Sequence, residues 1–134
     1  MTKLAALLIY FFPTIAWSPP VEQPTYQYGY SVDRWQGIVA EALDAYGIPE
    51  QQDTFMRVMA CESRGRPDAH NTYVYDDPAQ QASGLMQHLP VYWSDRAAAA
   101  GLPGYSPFDP VANIFTSSWL LTTRGGGWTH WTCY

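Results

Sequence analysis

Apolar residues recur along much of this chain at the spacing of helices rather than strands. Trp35, Ile38, Val39, Ala42, Leu43 and Tyr46 return every three or four residues, and Gly47 followed by Ile48-Pro49 ends the pattern, which predicts an amphipathic helix. A second helix is predicted over 49–63. Pro49 and Glu50 suit its first turn, where a missing N–H is harmless and negative charge is favoured. Phe55, Val58, Met59 and Glu62 then fall at i, i+3, i+4 and i+7, so a glutamate takes the fourth place of an apolar stripe just before Gly65 and Pro67 break the helix. Residues 65–90 lose the period; Gly65, Pro67, Asn71, Asp76, Asp77, Pro78, Gly84 and Pro90 mark loops, with a short hairpin around Tyr73 to Tyr75. Helix returns from about Val91 to Ala100 before Gly101, and again behind the cap Asp109, from Pro110 through Ile114, Phe115 and Leu121. The expected fold class is mainly α, without internal repeats or low-complexity tracts.

The amino end has a different pattern. Lys3 precedes an apolar run from Leu4 to Phe12, too short to span a bilayer comfortably and typical of a secretory signal over residues 1–18. Ala16 and Ser18 offer small residues for cleavage, but Pro19 and Pro20 disfavour a cut there. The segment is therefore read as a signal peptide or, uncut, as a hydrophobic anchor that associates with the membrane. Residues 19–30, rich in Pro, Gln and Tyr without a period, read as a linker, and residues 31–134 as the folded domain.

Size and charge narrow the possibilities. The 134 residues suit one domain, and 47% hydrophobic against 14% charged residues argues for a packed globule rather than disorder. A formal net charge of −5 offers little counterion-release energy with a polyanion, which disfavours nucleic acid as a partner. An aromatic fraction of 16% suits a sugar-binding groove as well as a core. In an exported chain Cys61 and Cys133 can form one disulfide, closing a loop worth about 4 kcal/mol on the chain-entropy model; two free buried thiols are the alternative. A zinc site from Cys61, His70, His130 and Cys133 is a further alternative, but its spacings are unspecific, so neither metal nor cofactor is expected. The expected state is a monomer.

Glu62 is the candidate for chemistry. Cleaving a glycosidic bond needs a carboxyl that stays protonated near neutral pH, and partial burial beside Phe55, Val58 and Met59 achieves that. The plainer reading is an exposed helix-end glutamate paired with Arg66 at i+4. The flanking segments favour the first reading. Residues 61–71 read CESRGRPDAHN and residues 83–90 read SGLMQHLP. They are followed by Phe-Asp-Pro-x-x-Asn-Ile at 108–114 and by Gly127-Trp128.

From about Asp33 to Tyr134 these ordered blocks resemble the soluble lytic transglycosylase family of the lysozyme superfamily, in particular its small secreted actinobacterial and phage-like members with a Cys before the catalytic Glu. The resemblance implies a lysozyme-like α+β helical domain with a loop-rich cleft. Within it, Glu62 corresponds to the acid/base, and Ser83, Gly84, Met86 and Gln87 belong to the groove that holds the glycan, Gln87 by a sugar hydrogen bond. The family's terminal Tyr-Asn motif has no clear counterpart in WTHWTCY, where Tyr134 is an approximate match. The Trp- and Cys-rich ending of the small members implies the Cys61 to Cys133 bond.

The implied activity is cleavage of the MurNAc–GlcNAc bond in peptidoglycan strands. Glu62 protonates the leaving oxygen and then takes the proton of the sugar's own 6-hydroxyl, closing a 1,6-anhydro ring. A hydrolytic lysozyme would need a second carboxylate, for which Asp68, Asp76, Asp77 and Asp95 are candidates, each more readily explained by capping or solvation. An inert peptidoglycan-binding or virion-structural module is the rival from another class, and the intact Glu62 speaks against it. The expected location is secreted, at the cell surface or wall, or on a virion.

Overall fold

The apolar stripes become the inward faces of helices. In the computed structural model, which describes residues 27–73, 76–123 and 126–134, five α-helices occur among the described residues. They are α1 (Tyr30–Asp33), α2 (Gln36–Ala45), α3 (Gln52–Ser63), α4 (Pro90–Ala99) and α5 (Pro110–Leu121), with 3-10 turns at Pro49–Gln51, Pro78–Gln80 and Gly127–His130. The architecture is mainly helical, as expected; the only β pairing among the described residues is a pair of isolated bridges that Ser83 makes with His70 and His88. The signal-like segment 1–18, linker residues 19–26, and Val74 and Tyr75 of the expected hairpin lie outside the described residues. Among the described residues no helix is long and apolar enough to cross a membrane.

Helix α3 is the spine. Phe55, Val58 and Met59 are fully buried against Val39, Ala42 and Leu43 of α2 and Ile114 of α5, each large side chain contributing about 1.5–3 kcal/mol by leaving water. The helix predicted over 49–63 is split. Pro49 opens a 3-10 turn closed by Gln51 N–H to the Ile48 carbonyl (3.1 Å), and the α-ladder begins at Gln52. At the other end Ser63 folds back on the helix. Its hydroxyl donates to the Met59 carbonyl (3.3 Å) and accepts from Gly65 N–H (3.1 Å), while Arg64 and Gly65 take left-handed conformations.

Helix α1, a single turn, shows no period in the sequence because one turn cannot display one. It clamps the end of α3. Ser31 Oγ donates to the Arg64 carbonyl (2.9 Å), and Trp35 Nε1 (2.9 Å) and Arg34 Nη2 (3.2 Å) donate to that of Gly65. A Cβ at Gly65 would lie 2.1 Å from the Ser31 carbonyl oxygen, so this approach requires glycine. Tyr28, from the segment read as linker, packs on the core, and its N–H donates to the buried Asp33 carboxylate (2.9 Å).

Helix α5 starts as its sequence demands. Asp109 caps it by accepting from Ala112 N–H (2.9 Å), and Pro110 is its first residue. Helix α4 begins at Pro90, one residue before the expected start, and buries Trp93 and Ala97 against Ala112 in a second, smaller cluster.

Candidate active site

Glu62 stands in the last turn of α3, half-buried at the end of the stripe formed by Phe55, Val58 and Met59. Burial raises its pKa above the usual carboxylate value, and a hydrogen bond from the Cys133 backbone partly opposes the rise. The alternative pairing with Arg66 does not form. The Arg66 guanidinium donates to the Ser63 carbonyl instead (3.3 Å) and plays no part in the Glu62 shift. A carboxyl so placed can hold a proton nearer neutral pH than a solvated glutamate can, which is the property a general acid needs.

The disulfide joins Cys61 to Cys133, 72 residues apart, with Cα atoms separated by 6.0 Å. Both thiols are consumed, so the alternatives of free cysteines and of a zinc site using them fall away. Among the described residues no cluster of three or more potential metal ligands gathers elsewhere.

The turn 83–88 buries Leu85 and Met86 in the core, and a set of buried polar contacts fixes its backbone. Ser83 and His88 exchange backbone bonds (2.9 and 3.0 Å), Gly84 N–H donates to the Ala69 carbonyl (2.8 Å), and Met86 N–H donates to Asn113 Oδ1 (2.9 Å). The Asn113 amide also donates to the Pro107 carbonyl (2.9 Å). Asn113 is thus a buried structural residue, and its carboxamide sits so close to Gly84 that a Cβ there would lie 2.4 Å from Nδ2. Ser83, Gly84 and Met86 lie beneath the surface, so a ligand can feel them only through the shape of the turn. Gln87 is the partly exposed member, in a left-handed conformation (φ 53°), with Nε2 tied to the Ala69 (3.1 Å) and Gly84 (2.9 Å) carbonyls.

Under the turn lies a relay in which a neutral histidine joins an arginine to a serine. Arg96 Nη1 meets His88 Nδ1 (3.2 Å), His88 Nε2 meets Ser117 Oγ (2.7 Å), and Ser117 Oγ donates to the Asn113 carbonyl (2.7 Å). Since arginine can only donate and the serine proton is committed, His88 carries its proton on Nε2. Burial, with Arg96 and His130 nearby, pushes its pKa down to about 3.

The C-terminal segment connects the turn with Glu62. Trp131 Nε1 donates to the Met86 carbonyl (2.8 Å), while two residues later Cys133 is bonded to Cys61 and its backbone reaches Glu62. Trp128 anchors the segment at the other end of α3 through Nε1 to Gln51 Oε1 (2.8 Å) and an edge contact with Phe55. Tyr134 stacks on Trp128 with ring centroids 5.7 Å apart, and 65% of its surface remains exposed. Sequence reasoning missed Trp131 and Arg57, whose guanidinium donates to the Cys133 carbonyl (3.3 Å); no local pattern marks such long-range contacts.

A cavity of about 180 Å³, lined by Ile48, Gln51, Leu121, Gly127 and Trp128, belongs to the far end of α3. At the helical rise it lies about 16 Å along the axis from Glu62, so it is not where a group held by that carboxyl would sit. Of the aspartates considered as a second carboxylate, Asp68, Asp76 and Asp95 are exposed, and Asp77 caps a 3-10 turn by accepting from Ala79 N–H (3.0 Å).

A mainly helical domain whose spine carries a half-buried glutamate in its last turn is consistent with a lysozyme-like fold. Residues 37–134 match the model of the Transglycosylase SLT domain, and the chain belongs to that family. Its members act on peptidoglycan glycan strands. No curated protein and no solved structure matches the chain.

Proposed function

We propose that this protein is a peptidoglycan lytic transglycosylase in which Glu62 acts first as acid and then as base. The observation that carries the reading is the position of Glu62: half-buried at the end of α3, with its pKa raised by desolvation, in a chain of the SLT family. As an acid, Glu62 gives its proton to the glycosidic oxygen leaving MurNAc. As a carboxylate it takes the proton of that sugar's 6-hydroxyl, whose oxygen closes the 1,6-anhydro ring. Glu62 ends protonated and ready for another cycle, and no water is consumed. The exposed or capping state of Asp68, Asp76, Asp77 and Asp95 favours this route over hydrolysis, which generally uses a second carboxylate.

Gln87 is the side chain of the turn with surface to offer, and its Oε1 accepts a sugar hydroxyl while Nε2 holds the turn. Ser83, Gly84 and Met86 fix the backbone that presents it, and the exposed Tyr134 ring gives a sugar a flat wall. A disulfide beside the site suits an oxidising compartment outside the cytoplasm.

The test is mass spectrometry of soluble products from purified glycan strands. Wild type is expected to release 1,6-anhydro-MurNAc ends, and Glu62→Gln to lose roughly a hundredfold or more of the rate. Reducing MurNAc ends would mean hydrolysis; binding without products would mean an inert module. Activity is expected to fall as pH rises through the raised pKa of Glu62, because the acid form is then lost.

A further inference from the structure

The turn that ends α3 gathers positive charge in an acidic chain. Three of the seven Lys and Arg residues, Arg34, Arg64 and Arg66, surround residues 63–65, although the formal net charge is −5. Two of the guanidinium groups are held there by main-chain carbonyls. Arg34 donates through Nε to Ser31 (3.1 Å) and through Nη2 to Gly65 (3.2 Å), and Arg66 donates through Nε to Ser63 (3.3 Å). Arg34 also lies over the Trp35 ring, 4.6 Å from its centroid. A guanidinium carries five N–H donors, and none of these contacts uses Arg34 Nη1 or either terminal nitrogen of Arg66. All three arginines are exposed, and among the described residues none pairs with a carboxylate, Asp68 two positions beyond Arg66 included. The buried Asp33 carboxylate is engaged by Tyr28 N–H and Gln36. Arg64 takes the left-handed C-cap position (φ 55°), where glycine would incur no steric cost. Like charges gathered without a counter-charge repel, so the arrangement gains only when an anion comes to it.

We infer that Arg34, Arg64 and Arg66 form a specificity patch that binds the carboxylates carried by the substituent on O3 of MurNAc, whether a whole peptide stem or the lactyl group left when the peptide is removed. The inference rests on the acid/base reading of Glu62, which directly precedes this turn and so decides which sugar lies beside it. The substituent belongs to the ring whose C1–O bond is cleaved, and it reaches sideways from that ring to groups set apart from the reacting atoms. A planar guanidinium meets a carboxylate through two parallel N–H bonds, which gives the contact direction as well as charge. The patch touches no reacting atom. It therefore binds the ground state and the transition state alike, which lowers KM and leaves kcat nearly unchanged.

The experiment gives the full chain three purified substrates: peptide-bearing strands, strands stripped of peptide by an amidase, and peptide-bearing strands whose carboxylates are blocked as neutral methyl amides. Wild type is expected to show a KM roughly threefold to tenfold lower on unblocked than on blocked peptide-bearing strands. Arg64→Gln/Arg66→Gln, with its helical circular dichroism retained, is expected to lose that advantage, to keep kcat within about twofold, and to match wild type on blocked strands. An equal loss on blocked and unblocked strands would mark a structural role and overturn the inference, as would no loss on either. Stripped strands tell the two carboxylates apart: an advantage that survives stripping assigns the lactyl group, and one that vanishes assigns the peptide. If the double variant does not fold, wild type alone decides. Its preference for unblocked strands is expected to shrink as sodium chloride is added, and a preference that is absent, or indifferent to salt, overturns the inference. A failure of the acid/base reading is separate: wild type would release no anhydro ends, while the affinities of Glu62→Gln for blocked and unblocked strands would still report on the patch.

Discussion

The turn 83–88 and the C-terminal segment, two walls in the proposed reading, are held by different chemistry. The turn 83–88 buries Leu85 and Met86 in the core and is fixed by hydrogen bonds to Asn113 and Ser117 of α5, the latter through its own His88, with no covalent tie. The C-terminal segment rests on one disulfide and a run of rings, Trp128, Trp131 and Tyr134, with few polar ties. A buried network is cooperative, because each unmet donor costs its full desolvation. A cross-link instead acts by limiting the unfolded chain. The first wall should therefore respond to acid and to small side-chain changes, and the second to loss of a single bond.

The largest effect on stability is expected from the second wall. Replacing Cys61 and Cys133 by serine reopens a 72-residue separation and should cost about 4 kcal/mol, read as a lower denaturation midpoint with a steeper slope, because the uncrosslinked unfolded chain exposes more surface. Next comes the first wall. Asn113→Ala strips the partner from Met86 N–H and from the Pro107 carbonyl inside the protein, and should cost about 3 kcal/mol in chemical denaturation. A loss much under 1 kcal/mol would mean that the turn does not depend on α5.

The smallest effect per step is expected from pH. Folded His88 stays neutral down to about 3, whereas an unfolded histidine takes up its proton near 6.5. Its contribution is therefore complete above pH 6.5 and is lost as pH falls towards 3, by about 1.4 kcal/mol per unit. Glu62 acts with the opposite sign, since its raised pKa favours the folded state at low pH and is lost as pH rises through it. Thermal melts between pH 3 and pH 7 in a Glu62→Gln background remove the opposing contribution, and the difference between His88 and His88→Gln in that background reads the histidine. His88→Gln should flatten the dependence, and a dependence that persisted would move its origin elsewhere.

Much of the fold could be read from the sequence where a local pattern existed. The stripes of α2 and α3, the Asp109-Pro110 start of α5 and the loops between 65 and 90 follow from periodicity and turn residues, and each falls within a residue or three of its expected place. Glu62 could be read for the same reason, as the polar end of an apolar stripe. The rest depended on contacts between distant residues. Nothing near Trp131 signals that its indole will meet Met86, and nothing in SGLMQHLP signals that Gln87 will turn its amide nitrogen inward while Ser83 and Met86 are buried. Motif likeness named a segment, but which of its atoms face outward is set by backbone dihedrals that no spacing encodes.

The clamp at Gly65 has a mechanical side. Tension applied to the chain from the amino-terminal direction would pass through Tyr28 and α1 and then, by way of Ser31, Arg34 and Trp35, into the Arg64 and Gly65 carbonyls. That junction lies three residues beyond Glu62, so part of the load would pass to the end of α3 as well as along the chain into α2. A tug on the front of this domain would be felt at the end of the helix that carries Glu62.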